Sequence, residues 1–356
     1  MAQSKFDLDK IVRIRRQLLA WYKAHRRDLP WRRTLDPYAI WVSEIMLQQT
    51  RVSAVIGRYR AFLARFPTLV SLAIASEQDV LAMWSGLGYY RRARMLHKAA
   101  QFVTSELSGN LPTSAAHLRV LPGIGTYTAA AISSIAHGEP VAVVDGNVER
   151  VLCRIAGWDA GSSKNGASLR RKIESLASRL LDRECPGDFN QAIMELGATV
   201  CTPRSPKCPL CPLASECKTR GEHKMPRRAT MTSRIAAYAL SVRSGVPGKP
   251  RGPAACEVLL EQRPAGLTVM PGLWELPTLL DSEIPASELR MTLRHAIMQV
   301  NYYVRIRTVF EDDIDALAVV AAGNRRWVPL FRASTMPLTG LTRKVLTRAH
   351  LLPSPP

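Results

Sequence analysis

Four cysteines lie within seventeen residues, in the run CTPRSPKCPLCPLASEC, and they limit the possible folds more than any other feature. They are Cys201, Cys208, Cys211 and Cys217, with the spacing C-x6-C-x2-C-x5-C. Thiolates this close together indicate two disulfides, a zinc ion or an iron–sulfur cluster. A Lys/Arg-rich chain without an export signal argues against disulfides, and only Cys208 and Cys211 form the short clip of a zinc finger. The spacing therefore favours a [4Fe–4S] cluster, with zinc as the alternative.

The chain is strongly basic. Its 356 residues include 49 Lys and Arg against 29 Asp and Glu, which gives a formal net charge of +20. This excess predicts a nucleic-acid partner, although a generally arginine-rich proteome would produce the same composition. Met1–Lys10 lacks the apolar core of a signal peptide, and no apolar stretch is long enough to span a membrane. We therefore expect a cytoplasmic protein that does not enter a membrane.

Hydrophobic periodicity divides the chain into a helical domain at 1–225 and an α+β domain at 235–352, joined by a basic linker at 226–234. Predicted helices follow Asp36-Pro37 and Asp145 and cover Ser53–Arg65, Ser76–Ser85, Tyr90–Ser108, Ser114–Val120, Thr126–His137 and Lys164–Asp182. Predicted strands cover Ile235–Val242, Cys256–Gln262, Asn301–Phe310 and Arg325–Pro329, with a last helix at Thr342–His350. Ser244–Ala255 is a loop rich in Gly, Pro and basic residues. The length is sufficient for two or three domains with separate cores.

A glycine-rich turn, LPGIG, separates two of the predicted helices. Gly123 and Gly125 flank Ile124, and they allow a tight turn whose backbone N–H groups point outward at the start of the next helix. Such donors form a phosphate site that does not depend on DNA sequence. The segment at about 114–137 is therefore predicted to be a helix–hairpin–helix, with an ordinary interhelical turn as the alternative.

Two carboxyl groups are candidates for catalysis. Glu44 lies in WVSEIMLQQT, where Trp41 and Leu47 are its neighbours on the helix surface. Burial against them would raise the pKa of Glu44 and suit it to proton donation; the alternative is a solvated surface glutamate. Asp145 follows an apolar run and is predicted to be the N-cap of the next helix. A capping carboxylate at the edge of a cleft stays ionised and can stabilise a developing cation.

Amide and aromatic side chains near predicted turns are candidates for DNA contacts. Such groups can wedge into a duplex or stack on its bases, and the arginine after them can contact phosphate. The alternative is that the two tyrosines are ordinary core residues. The candidates are Gln48, Gln49, Thr50, Tyr89, Tyr90 and Arg91.

Four features of the sequence, taken together, resemble a known family. They are SEIMLQQT around Glu44, the LPGIG turn, VDGNVER around Asp145 and the four-cysteine run. They resemble, over residues 5–220, the helix–hairpin–helix DNA glycosylases with an iron–sulfur cluster, which include endonuclease III and MutY. The resemblance implies a [4Fe–4S] cluster on the four cysteines. Tyr127 stands where the endonuclease III branch has a lysine nucleophile, so a Schiff-base lyase is not expected. Glu44 and the preceding LPWR are similar to the MutY branch, as is FNQAIMELGATVC.

The MutY resemblance implies removal of adenine paired with 8-oxoguanine, or more weakly with guanine, in double-stranded DNA. Glu44 would protonate adenine N7, Asp145 would stabilise the oxocarbenium ion, and Tyr127 would fix the geometry. The implied base pocket contains Trp31, Arg32, Leu47, Glu195 and Asn147. We expect a monomer, because one chain suffices to clamp a lesion, and a bacterial protein that associates with the nucleoid. The alternatives are an endonuclease III-like pyrimidine glycosylase/lyase and an inactive DNA-binding protein.

The second domain resembles the NUDIX-like domain of MutY proteins through LLEQRPAGLTVMPGLWELP. DSEIPASELR does not supply the metal-binding glutamates of NUDIX hydrolases, so nucleotide hydrolysis is not expected. The family's Phe-Ser-His run corresponds to Leu293-Arg294-His295. Arg294 and His295 are therefore expected to contact DNA, and Arg294 departs from the family's serine. An arginine can still donate to the carbonyl or N7 side of 8-oxoguanine.

Overall fold

The computed structural model describes residues 7–159, 166–221, 230–244, 256–280, 284–285, 287–313 and 324–353. The chain divides into two compact units: Met1–Ala73 with Lys98–Arg227, and Ile74–His97 with Arg228–Pro356. The second unit therefore includes a segment that the sequence places in the helical domain. The boundary at 227/228 falls within the predicted linker, of which 226–229 lie outside the described residues, as do 245–255 of the predicted loop.

The first unit is helical. Its helices are α1 (Leu8–His25), α2 (Pro37–Leu47), α3 (Val52–Arg65), α4 (Leu69–Ala73), α7 (Ala115–Leu118), α8 (Thr126–His137), α9 (Gly146–Ala156), α10 (Gly166–Leu180) and α11 (Pro186–Thr199). Helix α6 (Arg91–Glu106) crosses the boundary at 97/98. The Asp36 side chain accepts a hydrogen bond from the Tyr38 N–H and Pro37 is the first helical residue, so the predicted start of α2 is confirmed. No helix in the described ranges is long and apolar enough to cross a membrane.

Close helix packing fixes the elements that surround the site. Helix α2 is buried along most of its length, from Tyr38 to Met46. Helices α9 and α11 approach each other at Gly197, where an added Cβ would lie 2.6 Å from the Cβ of Asn147. Any larger residue at position 197 would therefore push α9 away from α11.

The second unit is α+β. One sheet has the strand order β5 (Thr278–Leu279), β1 (Thr232–Leu240), β7 (Val300–Thr308) and β6 (Leu289–Ile297), in which β1 and β7 are parallel. The other contains β2 (Val242–Ser244), β3 (Cys256–Gln262) and β4 (Trp274–Glu275), with β8 (Arg325–Pro329) paired to β3. Helices α5 (Glu77–Met83), α12 (Leu330–Ala333) and α13 (Gly340–Arg348) belong to the same unit. All four predicted strands and the last predicted helix are present, whereas β2, β4, β5 and β6 were not predicted.

Candidate active site

Glu44 and Tyr127 face each other from α2 and α8. Glu44 is only 7% exposed, and the Tyr127 hydroxyl donates to its Oε2 at 2.8 Å. Burial raises the pKa of Glu44 to about 7; the charge of Asp145 raises it too, whereas the hydrogen bond from Tyr127 lowers it. Burial also raises the pKa of Tyr127 well above its ordinary value. The carboxyl group that was predicted to be buried is therefore buried, and it can hold a proton near neutral pH.

Asp145 is the N-cap of α9, as predicted. Its Oδ1 accepts from the backbone N–H groups of Asn147 (2.9 Å) and Val148 (2.8 Å), and its Oδ2 accepts from Asn147 Nδ2 (2.8 Å). Asn147 in turn accepts from Arg150 Nη2 at 2.9 Å, and Arg150 Nε donates to the carbonyl of Cys201 at 2.8 Å. The carboxylate is thus held rigidly, and a continuous chain of hydrogen bonds joins it to the cysteine loop.

Glu44, Tyr127 and Asp145 line one cavity of about 540 Å³ in the first unit. This volume lies in the range of small-molecule sites. The predicted pocket residues Trp31, Arg32, Leu47, Glu195 and Asn147 all line it, together with Gln48, Gln49 and Thr50. Lining residues that the sequence did not indicate are Arg27, Leu29, Val52, Gly146, Gln191, Met194 and Ala198.

A second carboxyl group that lines this cavity is held ionised, in contrast to that of Glu44. Glu195 is 1% exposed and accepts from Arg27 Nε (2.7 Å), Arg27 Nη2 (2.6 Å) and Arg32 Nη2 (2.8 Å). Burial opposes ionisation of Glu195, but these hydrogen bonds outweigh it and lower its pKa to about 2. At neutral pH the site therefore combines a fixed carboxylate at Glu195 with a carboxyl at Glu44 that can donate a proton.

The four cysteines of the predicted cluster loop line one cavity together with Arg154 and Arg220. Arg154 is 2% exposed; its Nη1 lies 3.3 Å from Cys201 Sγ and also donates to the carbonyl of Thr202 at 2.7 Å. Within the described residues, no three Cys, His, Asp or Glu side chains are grouped to hold a metal ion. Four thiols that line one cavity are a donor set that an iron–sulfur cluster or a zinc ion could use.

The predicted hairpin has the expected geometry. Helix α8 begins at Thr126 with Gly125 as N-cap, and no described side chain caps its first turn. Gly123 has a φ of 76°, a left-handed conformation that glycine adopts easily. Both glycines are exposed, whereas Ile124 between them is buried. The backbone donors are therefore available at the surface, and the phosphate contact stays a prediction.

The side chains predicted to enter DNA fall into two groups. Gln49 and Tyr89 are exposed, and both have left-handed backbones, with φ of 53° and 47°. Arg91 is exposed as well. Tyr90 is 4% exposed, and its hydroxyl donates to the carbonyl of Leu338 at 3.0 Å. Tyr90 is therefore placed as the alternative of a core residue expects, and its contact with DNA stays a prediction.

Arg294 and His295 lie on β6 of the second unit. Arg294 is exposed, and its guanidinium lies over the ring of Tyr303, 5.1 Å from the centroid. His295 is half-buried, and burial and the nearby Lys344 lower its pKa. A contact of either residue with DNA stays a prediction.

Known DNA repair proteins are similar to this chain. Residues 42–178 match the family described as HhH-GPD superfamily base excision DNA repair protein. The chain is 43% identical over 205 residues to an adenine DNA glycosylase of Mycolicibacterium smegmatis, a match that covers 57% of this chain and 68% of that protein. The chain belongs to the adenine DNA glycosylase family. A human member is 48% identical over 223 residues, and an Arabidopsis thaliana member is 37% identical over 343 residues.

The human match covers 60% of this chain and 40% of the human protein, and the Arabidopsis match covers 84% of this chain and 52% of that protein. The chain therefore spans about half or less of these two adenine DNA glycosylases. Among solved structures, a thermostable thymine-DNA glycosylase superposes with a TM-score of 0.53 at 29% identity, covering 60% of this chain and 97% of that one. This likeness supports the helical glycosylase fold of the first unit.

Proposed function

We propose that the protein is a DNA glycosylase that hydrolyses the N-glycosidic bond of adenine paired with 8-oxoguanine or guanine. The family supports adenine as the target base. The observation that carries the proposal is the juxtaposition, in one cavity, of the buried carboxyl of Glu44, whose pKa is about 7, with the capped carboxylate of Asp145. A proton donor and a fixed negative charge are the two groups that departure of a purine from deoxyribose requires.

In the proposed reaction the enzyme bends the duplex and the adenine rotates out of the helix into the cavity. Glu44 protonates N7, which makes the base a good leaving group. The C1′–N9 bond then breaks, and Asp145 stabilises the positive charge that develops on the sugar. Water adds at C1′ and releases a proton, which restores the protonated carboxyl of Glu44, and an abasic site remains. The Tyr127 hydroxyl, 2.8 Å from Glu44, holds the carboxyl in place throughout.

Base selection is assigned to the walls of the same cavity. Trp31 and Leu47 supply apolar surface, and the Glu195 carboxylate is held ionised by Arg27 and Arg32. A fixed acceptor beside two guanidinium groups provides hydrogen bonds for the edges of a flipped purine.

The protein is proposed to be monofunctional. Tyr127 occupies the hairpin position of the lyase amine, and no lysine is present among the described residues that line the cavity. Without an amine near C1′ there is no Schiff base, and the strand stays intact at the abasic site. These features favour adenine hydrolysis over the endonuclease III-like alternative.

We further propose a [4Fe–4S] cluster on Cys201, Cys208, Cys211 and Cys217. When bound, the cluster would cross-link the loop that carries the exposed side chains of Arg204 and Lys207, which would contact phosphate. The proposed domains are a glycosylase domain at 1–225 and a NUDIX-like domain at 235–352, whose Arg294 and His295 read the base opposite adenine. The protein acts as a monomer on double-stranded DNA.

The test is single-turnover excision of adenine by wild type, Glu44→Gln and the matched control Glu106→Gln, which changes an exposed carboxylate of the first unit. Glu44→Gln is expected to bind the A·8-oxoguanine duplex as wild type does but to release adenine at least about 100-fold more slowly. Glu106→Gln is expected to match wild type. Equal excision by the two variants would contradict the role of Glu44, and binding without excision by wild type would leave only a DNA-binding function.

A further inference from the structure

The segment 84–90 of the second unit, here called the wedge loop, presents Tyr89 in an unusual conformation. Tyr89 is 52% exposed with a φ of 47°, and it follows Gly86 (φ 96°) and Gly88 (φ 68°). A bulky residue adopts a left-handed backbone only where its surroundings determine that conformation. The wedge loop is therefore held by specific contacts rather than by its own preference.

The first set of contacts lies within the loop and the start of α6. Trp84 Nε1 donates to the carbonyl of Gly88 at 3.1 Å. Arg92 Nη2 donates to the carbonyls of Leu87 (3.1 Å) and Gly88 (3.2 Å). The Arg92 guanidinium also lies 5.5 Å from the ring centroids of both Trp84 and Tyr89. These contacts fix the shape of the loop and the direction of the Tyr89 ring.

A second contact joins the loop to the C-terminal part of the chain. Arg343 of α13 donates through Nε to the Ser85 hydroxyl at 2.8 Å, and Ser85 is only 1% exposed. The same guanidinium donates through Nη2 to the carbonyls of Ser334 (3.3 Å) and Met336 (3.4 Å). Arg343 is therefore held in place by the segment before α13, and through its bond to Ser85 it also fixes the start of the wedge loop.

A third contact holds the other end of the loop. Tyr90 Oη donates to the carbonyl of Leu338 at 3.0 Å, and both residues are buried. One turn later, Arg94 Nη2 donates to the carbonyl of Pro271 at 2.6 Å. Ser85 and Tyr90 of the wedge loop, and Arg94 just after it, are thus bonded to residues from the sequence region 228–356, at least 177 positions away along the chain.

We propose that Tyr90 and Arg343 are positioning residues that set Tyr89 for insertion into the duplex beside the target adenine. This inference rests on the proposed function. The C-terminal part of the chain then has two functions: β6 contacts the opposite base, and Leu338 and Arg343 hold the segment that carries Tyr89. Displacement of Tyr89 would reduce base flipping, because a misplaced side chain cannot insert between the bases beside the flipped nucleotide.

The test uses Tyr90→Phe with Tyr38→Phe as its matched control. Each change removes one buried phenol hydroxyl that donates to a backbone carbonyl, Leu338 in one case and Phe66 (2.9 Å) in the other, so the losses in thermal stability should be similar. Single-turnover excision should fall by on the order of tenfold in Tyr90→Phe only. Ser85→Ala, which removes the acceptor for Arg343, should behave like Tyr90→Phe.

Combination with Tyr89→Ala separates positioning from a general structural effect. If Tyr90 acts through Tyr89, Tyr90→Phe causes no further loss of excision once Tyr89 is alanine. If the two losses multiply, or if Tyr38→Phe lowers excision as much as Tyr90→Phe does, the inference is overturned.

A fluorescent base analogue beside the mispair gives a readout that does not need excision. In the Glu44→Gln background, its increase in emission on binding should be smaller with Tyr90→Phe than with Tyr38→Phe. An equal increase in emission in the two variants would refute the positioning role, even if the protein with Glu44 intact releases adenine. Failure of the wild type to release adenine would refute the proposed function but leave the unstacking comparison valid.

Discussion

The buried carboxyl of Glu44 should make the protein less stable as the pH rises, and Glu44→Gln should remove that cost. The pKa of Glu44 is about 7 in the folded protein, against an ordinary value of 4.5. Between these values the unfolded chain releases the proton while the folded chain keeps it, so increasing pH favours unfolding. This difference in pKa lowers the free energy of unfolding by about 3 kcal/mol above pH 7. At pH 5 the loss is less than about 1 kcal/mol.

Glutamine cannot ionise, yet its carbonyl can still accept the hydrogen bond from Tyr127. Glu44→Gln should therefore be more stable than wild type at pH 8, by about 3 kcal/mol or roughly 6–12 °C in Tm, and nearly unchanged at pH 5. The assay is thermal unfolding of both proteins at the two pH values, with Glu106→Gln as the control for an exposed carboxylate. A stability difference that is the same at pH 5 and pH 8 would refute a desolvated Glu44.

Three further predictions follow from the same geometry. The excision rate should fall about tenfold per pH unit above pH 7. Tyr127→Phe should move that decline to higher pH, because the tyrosine hydroxyl that it removes lowers the pKa of Glu44. A pH–rate profile that does not depend on Tyr127 would contradict this. Asp145→Asn should keep the helix cap and cost under about 1 kcal/mol in thermal unfolding, yet slow single-turnover excision by about 100-fold or more. Arg154→Met should lower the iron and sulfide recovered per chain more than Arg220→Met does, because Arg154 is bonded to three residues of the cysteine loop, Cys201, Thr202 and Pro203, whereas Arg220 donates to the carbonyl of Ala214; equal losses would contradict this.

Local signals in the sequence identified much of the active site. The helix caps at Asp36 and Asp145 could be predicted because an N-cap side chain accepts hydrogen bonds from the backbone N–H groups two or three positions later. The burial of Glu44 followed from its apolar neighbours on α2. The proximity of Glu44, Tyr127 and Asp145 came from a family resemblance, since nothing local to each motif indicates that α2, α8 and α9 meet at one cavity.

Features that depend on distant parts of the chain were missed. The bonds from Arg27 to Glu195 join residues 168 positions apart, and LPWR drew attention to Trp31 and Arg32 but not to Arg27. The burial of Tyr90 could not be decided from the sequence, because an aromatic residue in a turn has the same local pattern whether it faces DNA or a distant carbonyl. The placement of α5 with the C-terminal strands is likewise decided by contacts that a hydrophobic pattern cannot specify.

The central claim is tested most directly by single-turnover cleavage of a labelled duplex that contains one A·8-oxoguanine pair, with and without alkali, beside a duplex that contains thymine glycol. We expect strand breakage at the adenine only after alkali, slower reaction at an A·G pair, and no reaction at thymine glycol. Nicking at thymine glycol without alkali, and no loss of adenine, would contradict the assignment of Glu44 and Tyr127 and establish the endonuclease III-like activity instead.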